Sequence, residues 1–373
     1  MLEIAIKTLI SDRGKLFTAL SGVVFAFVLA NVQGGLYLGL VQKASLLVDN
    51  SGADIWVGHY KMHNAEITKV IPTKWIDRVR SVPGVAEAEP YLLSPGVISL
   101  PSGGFEEVVL VGVDSNSLLG NAWNVTQGLA TDVRQRDAII IDEYDESKLE
   151  HPQIGDVYEI GDRRARVVAK SKGILGFMFS PYVFTTFERA AEYAGRSPDY
   201  CSYYLVKTIA NADPQAVCRA IEANVPDVYA RTKEDYSDIS VNYWITRTGI
   251  GISFGIATVL GLFIGLIMVA NTLYAMALDR IEEFATLKAI GCPEVKVCSV
   301  LILQSLVVAI LGSVVGAAIV FLIQHFGSTP KTPIIVPATL AAATAVLVFV
   351  ICLVSAFLPY IKVRRVDPIM VLR

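Results

Sequence analysis

Charge is missing from four long stretches of this 373-residue chain. No Asp, Glu, Lys or Arg occurs in Leu16–Gln42, Gly249–Leu278, Val297–Ile323 or Ile334–Ile361. That absence argues against an ion-coupled carrier, which places carboxylates or other ionisable groups inside its spans as relays and ion sites. A GxxxxGK[ST] phosphate loop is also missing, and Gly14-Lys15 lacks the upstream glycine and the strand context. The chain therefore cannot hydrolyse ATP by that route. HExxH and CxxC are absent and only four His are present, so zinc-protease and dithiol chemistry have no foothold. No nucleophile–base constellation is visible. Cysteine is scarce as well: Cys292, Cys298 and Cys352 fall in or beside membrane segments. Cys201 and Cys218 share the region between the first and second runs, where either a disulfide or two separate buried thiols is compatible with the sequence.

What is present is apolar length. The chain is 53% hydrophobic and 18% charged. Each uncharged run reaches the roughly 20 residues that a helix needs to cross a bilayer core. Backbone groups in lipid must pair internally, so the runs read as helices. The expected fold is a membrane protein of four transmembrane α-helices, with a large α+β extracytoplasmic domain inserted between helices 1 and 2. The segments are an amphipathic helix over 1–15, spans at 16–42, 249–278, 297–323 and 334–361, the insert at 43–248, a loop at 279–296 and a tail at 362–373. Val28-Leu29-Ala30 would pass as a signal cleavage site, but the apolar run continues well beyond it. Lys7, Arg13 and Lys15 precede span 1, and Lys362, Arg364, Arg365 and Arg373 follow span 4. The positive-inside rule then puts both termini in the cytoplasm and the insert outside. No feature points to nucleic acid.

Within the insert, Ala53–Tyr60, Val85–Leu100, Glu106–Val113, Ser202–Thr208 and Val228–Arg231 read as strands. Thr73–Val82 and Asp213–Asn224 read as helices, the second with Asp213 as N-cap and Pro214 behind it. This is a sandwich split between about 50–113 and 201–232, with a β-rich insertion over about 114–200. Asp142, Glu143, Asp145 and Glu146 read as a solvated loop.

Inside the spans, Asn31, Gln33, Asn271, Gln304 and Gln324 are the conspicuous polar residues. Interhelical hydrogen bonding, in a dimer or within one chain, is the expected use of the first four. Gly312-xxx-Gly316 suits close helix packing, again in either setting. Between spans 2 and 3, Asp279–Pro293 repeats Ile281, Phe284, Leu287 and Ile290 at helical spacing. Gly291 can cap this helix and Pro293 stops it. An apolar stripe on so small a loop either rests on lipid or docks into another protein.

The stretch Arg280-Ile-Glu-Glu-Phe-Ala-Thr-Leu-Lys-Ala-Ile-Gly291 resembles the REIGxLKALG motif of MacB/FtsX-type ABC transporter permeases. The tail Arg364-Arg365-Val366-Asp367-Pro368 through Arg373 resembles that family's ARxDPxxALR ending. Ala5–Leu20 resembles its amphipathic approach to span 1. Phe284 departs from the motif's usual glycine neighbourhood. The resemblance covers essentially the whole chain, and DevC-like exporters are the nearest subgroup.

It implies a non-catalytic permease of the bacterial inner membrane, with its large domain in the periplasm. Two copies would pair with two copies of a separate ATPase carrying ATP and magnesium; this chain itself would hold no cofactor. Ile281, Glu282, Glu283, Phe284, Leu287, Lys288, Ile290 and Gly291 would form the coupling helix that meets the ATPase. A periplasmic adaptor, an outer-membrane channel and membrane lipid are further expected partners. The implied function is export of a lipid, lipoprotein, peptide or drug-like substrate, driven by motion passed to the external domain. Activation of a cell-wall hydrolase, or a receptor or scaffold without an ATPase, are the alternatives.

Overall fold

The computed structural model describes residue 9 and residues 11–177, 180–290 and 293–364. The amphipathic helix and basic tail expected at the two ends fall largely outside these residues. The chain forms two compact units, Met1–Gly39 with Gly251–Arg373, and Leu40–Ile250.

The first unit holds the spans. Four helices are long and apolar enough to cross a membrane. Span 1 is the helix Arg13–Lys43 and span 2 is Ile250–Asp279. Span 3 belongs to the helix Glu294–Gly327, and span 4 begins with Ala338–Ser355. Asp12 sits ahead of span 1 and accepts the Lys15 N–H at 3.1 Å, which satisfies one of the free donors of a helix start. Span 4 differs from the uninterrupted run 334–361. Residues 334–337 precede the helix, and Ala338 follows Pro337 in extended conformation. The helix stops at Ser355 and a short helix, Phe357–Arg364, follows. Pro359 has no N–H to give the Ser355 carbonyl, so the ladder breaks there.

Glycine makes the contacts between spans. A Cβ on Gly316 would lie 2.9 Å from Phe27, and one on Gly312 would strike Val23. On span 2, a Cβ on Gly265 would lie 2.5 Å from that of Ala26. Spans 2 and 3 therefore both seat against span 1 through missing side chains. In lipid, where apolar burial gives helices no reason to associate, such close approach is the main source of attraction. Gly312-xxx-Gly316 packs within one chain. Ala19, Val23, Phe27, Val269, Leu273, Val308 and Val348 fill the core between the helices.

The second unit is built on one large sheet. Its strands are β1 (Ile55–His59), β2 (Ile71–Pro72), β3 (Val85–Ser99), β4 (Phe105–Val113), β5 (Val125–Gln127), β6 (Ala138–Asp142), β7 (Val157–Ile160), β8 (Arg163–Ser171), β9 (Tyr182–Thr186), β10 (Tyr200–Cys201), β11 (Tyr203–Thr208) and β12 (Val228–Thr232). The order is β12-β1-β11-β3-β4-β9-β6-β8-β5, with β7 bridging β3 and β8; β2 and β10 pair separately. The expected split sandwich and separate insertion are thus one structure. The reason is β3, which is 15 residues long. Its first half pairs with β11 and its second half with β4 and β7. Because β7 also pairs with β8, the strands β3, β4, β9, β6, β8 and β7 close into a ring. Ring closure removes sheet edges that would otherwise stay open to pairing.

Side chains alternate across these strands as the pleat requires. Leu110, Ile139, Ile141 and Val183 point into one core; Val111, Ile140 and Phe184 belong to another. On the β1–β11–β12 side, Ile55, Val57, Tyr204 and Val206 meet the helices Ile76–Arg80 and Pro214–Asn224. Asp213 caps the second of these through the Gln215 N–H at 3.1 Å. The opposite face carries Trp56, Tyr91 and Tyr203, packed with Tyr236 of the helix Lys233–Arg247. The Tyr203 and Tyr236 hydroxyls lie 3.0 Å apart, and both donate to the Asn64 carbonyl. This cluster fixes the helix Lys233–Arg247 to the sheet. Gly249 follows with φ +72°, and span 2 starts at Ile250.

Gly312→Leu is expected to lower the melting temperature of the detergent-purified protein, by an overpacking penalty of about 1–3 kcal/mol. An unchanged melting temperature would contradict the close seating of span 3 on Val23.

Candidate functional site

At the end of span 2 the chain turns at Arg280, and the helix Ile281–Ala289 follows. The Ile290 N–H continues the ladder to the Thr286 carbonyl at 3.1 Å. Pro293 then stands in extended conformation ahead of the next helix. This short helix is anchored through Ala285, which is buried. Ile281 is half-buried, whereas Glu282 and Glu283 are exposed. Ile290 is 79% exposed. Phe284, Leu287 and Lys288 lie on the same helix, but their side chains, like the whole of Gly291, lie outside what the structure describes. The stripe foreseen from spacing is therefore mixed in exposure: Ile281 leans on its own unit, and Ile290 projects from it.

A cluster of polar contacts that sequence reasoning missed lies beside this helix. Lys15, near the start of span 1, pairs with both Asp12 at 3.2 Å and Asp279, the last residue of span 2. Arg280 pairs with Glu283 at 3.3 Å and donates to the Ser11 hydroxyl. The starts and ends of two spans are thus clasped, and the clasp reaches the short helix through Arg280. The available signal was positional: Lys15 and Asp279 are the first charges met beyond the apolar runs of spans 1 and 2, on the same side of the membrane. The Lys15 N–H, and then its ammonium, hold the Asp12 carboxyl below its ordinary range.

The intramembrane polar residues divide. Asn31 is buried and donates to the Phe27 carbonyl at 2.9 Å. Its carbonyl oxygen is buried without a partner among the described residues. Gln304 is also buried, and Gln33 is half-buried. Both buried residues serve packing within the chain. Asn271 is exposed.

In the inserted unit, Cys201 and Cys218 are buried, unbonded thiols. Cys201 donates to the Ile71 carbonyl at 3.7 Å, and burial pushes both thiols up to about 12. The acidic run at 142–146 is not the solvated loop that its composition suggested. Asp142 and Asp145 are buried. Asp142 accepts the Tyr144 N–H at 3.0 Å, the Ile174 N–H at 2.8 Å and the Ser171 hydroxyl at 3.0 Å. Burial raises the Asp142 carboxyl despite these bonds. Glu146 pairs with buried Lys170 at 2.6 Å. These carboxylates pin the end of β6 to β8, so they have structural rather than chemical work. Among the described residues no group of three or more His, Cys, Asp or Glu could hold a metal ion.

A cleft of about 570 Å³ opens between β3, β4 and the segments around Glu66 and Ser180. At its base Glu66 accepts the Tyr182 hydroxyl at 2.6 Å and the Phe177 N–H at 2.9 Å. Burial, with the Glu66 charge beside it, holds the Tyr182 phenol well above its ordinary range.

An apolar four-span unit, a large inserted domain and an exposed helix between spans define the class, a polytopic permease-type subunit. Two family models match: the MacB-like periplasmic core domain over residues 16–224 and the FtsX-like permease C-terminal domain over residues 255–368. The chain belongs to the MacB/FtsX-type ABC transporter permeases. It is 27% identical to an uncharacterised ABC transporter permease of Mycobacterium tuberculosis, over 93% of this chain and 92% of that one. A Mycobacterium bovis permease is 26% identical over the same shares. The periplasmic region of MacB from Actinobacillus actinomycetemcomitans aligns with 52% of this chain and 96% of its own, at TM-score 0.40 and 10% identity. The extracellular domain of the ABC-type transporter YknZ aligns with 48% and 98%, at TM-score 0.37 and 13% identity. The chain is thus a transporter component and a multi-pass inner-membrane protein, and its family implies an ATPase partner.

If the clasp orders the span ends, Asp279→Lys lowers the melting temperature in detergent and adding Lys15→Asp recovers part of the loss. The expected coupling, for a half-exposed pair, is on the order of 0.5 kcal/mol. Strictly additive effects would show that the two residues do not interact.

Proposed function

We propose that this permease passes ATP-driven motion from a separate ATPase to its periplasmic domain. The observation that carries the reading is the short helix Ile281–Ala289. It hangs between two spans, is anchored through buried Ala285, and leaves Ile290 79% exposed. An apolar side chain held out from an ordered helix end suits a groove on a partner protein. Glu282 and Glu283, exposed on the same helix, would set the register by charge, with Phe284, Leu287 and Lys288 completing the contact. Two permease chains would pair with two ATPase subunits, which bind ATP and magnesium.

Both termini and the coupling helix lie in the cytoplasm on this reading. The clasp of Lys15 with Asp279 supports it physically. Displacement of the coupling helix would reach spans 1 and 2 together instead of span 2 alone. The charge-free spans fit a transmission role, which requires no charged path through them. The periplasmic domain would then drive export of a lipid, lipoprotein, peptide or drug-like molecule, working with a periplasmic adaptor and an outer-membrane channel.

The test is an affinity capture of the solubilised protein with mass spectrometry of its companions. Wild type is expected to retain an ATPase subunit. Ile290→Asp, and separately Phe284→Asp with Leu287→Asp, should reduce it roughly tenfold, the loss typical of a central interface anchor. The melting temperature of the variants should stay at the wild-type value. A folded wild type that brings no ATPase, or a variant that keeps it in full, sinks the reading.

A further inference from the structure

The long strand β3 has a gap in its cover. On one side it pairs with β4 from Leu92 to Ser99. On the other side β11 accompanies it only as far as Tyr91, and β7 only from Ile98. Leu93 gives its N–H to the Ser202 hydroxyl, and its carbonyl accepts the hydroxyls of Ser202 and Thr68. Its backbone therefore turns away from β4, and by the two-residue period of the ladder so do Pro95 and Val97. The Val97 N–H makes no hydrogen bond among the described residues. The Pro95 carbonyl is met only by the Ser94 hydroxyl, at 3.3 Å, and keeps a second lone pair. Both residues are exposed.

This open edge is one wall of the cleft of about 570 Å³. The strand registers set out its floor. Pro95 lies opposite Val109, and Val109 opposite Tyr182. Side chains directly opposite share a face, so these three form a largely apolar row. The row ends at Glu66, which accepts the Tyr182 hydroxyl. Val97 and Glu107 face each other in a second, more exposed row. Arg196 lines the cleft as well. Glu107 and Arg196 are exposed, and neither has an ion-pair partner among the described residues.

Three features select the occupant. The edge offers a donor and an acceptor two residues apart, which is how an extended backbone presents its own N–H and carbonyl along one side. The gap is short: residues 94–97 span about 13 Å at the rise of a strand. Ser202 and Thr68 close it over Leu93, and β7 closes it at Ile98. Pro95 brings no N–H, so a continuous ladder cannot form there. A long strand is refused and a short one admitted. Finally, unpaired charges of opposite sign suit a molecule with one cationic and one anionic end. We propose that this cleft binds a short peptide with free termini, extended along Pro95–Val97, its ammonium toward Glu107 and Glu66 and its carboxylate toward Arg196. The inference goes beyond the reading above and does not rest on it, since the site lies wholly in the inserted unit and requires no ATPase.

The test uses the full chain, purified in detergent without any ATPase, in equilibrium dialysis against a mixed-sequence tetrapeptide pool with free termini. Mass spectrometry measures what is retained. Wild type is expected to retain peptides, and to lose roughly tenfold of that retention when both termini are capped by acetyl and amide groups. Val97→Pro removes the open N–H and should weaken retention roughly tenfold at an unchanged melting temperature. Glu107→Lys and Arg196→Glu, at exposed positions, should each weaken it at least about threefold, and they decide the matter alone if Val97→Pro unfolds. Dodecylamine, a cationic amphiphile without a peptide bond, serves as the comparison. No retention by wild type, equal retention of the capped pool, or full retention by the charge variants overturns the proposal. So does dodecylamine displacing the peptides at concentrations where they bind, which would assign the cleft to a lipid-like amine.

Discussion

The hydrocarbon core of a bilayer accepts neither charge nor unpaired backbone, and the rest of this structure follows from that refusal. It turns four uncharged runs into helices. It also removes the usual drive for helices to associate, since lipid is as apolar as leucine. Close fit has to replace it, and the glycines provide the fit. Gly312 and Gly316 admit Val23 and Phe27, and Gly265 admits Ala26. Some polar side chains are folded back on their own helices, as with the Asn31 amide on the Phe27 carbonyl and the Thr272 hydroxyl on that of Met268. Charged side chains return where the constraint ends. One such place is the cluster around Lys15, Asp279 and Arg280, where spans 1 and 2 are tied.

Outside the spans, water satisfies polar groups, and the inserted domain is organised by a different need, which is to have no loose parts. The strand β3 is paired on both halves of its length, so the two regions that it joins cannot part without breaking the ladder. The closed ring and the ion pair of buried Lys170 with half-buried Glu146 hold the intervening segment to that same frame. Trp56, Tyr91, Tyr203 and Tyr236 fasten the helix Lys233–Arg247 to the sheet. On the reading proposed above, a domain knitted in this way would move as one body.

How much of this was legible in the sequence depended on how local the cause was. Spans and the short helix Ile281–Ala289 are written in consecutive residues, and so is the Asp213 cap. The interruption of span 4 needed only Pro359, yet the apolar run around it concealed the break. Ring closure was not legible. The parallel pairs β4–β9 and β6–β8 join strands whose intervening segments carry no mark of their partner. The acidic run at 142–146 looked solvated because its partners, Ser171 and Ile174, arrive from β8 and the turn after it. A spacing of three drifts round the helix, so Ile290 stands half a turn from Ile281, and packing leaves the first projecting and the second half-buried. Asn31 and Asn271 are the same residue type in two spans, and only packing shows that the first is buried and the second exposed.

The central claim is that the periplasmic domain moves as one body in response to ATP. Spin-label distances in the reconstituted permease–ATPase complex test it directly, using Asp77→Cys and Glu188→Cys, two exposed positions of that domain. The account predicts that the distance between the two labels within one domain stays constant, while the distance between Asp77→Cys labels on the two copies shifts when ATP binds. A distance between copies that ignores ATP, or a change confined to the labels within one domain, would contradict it.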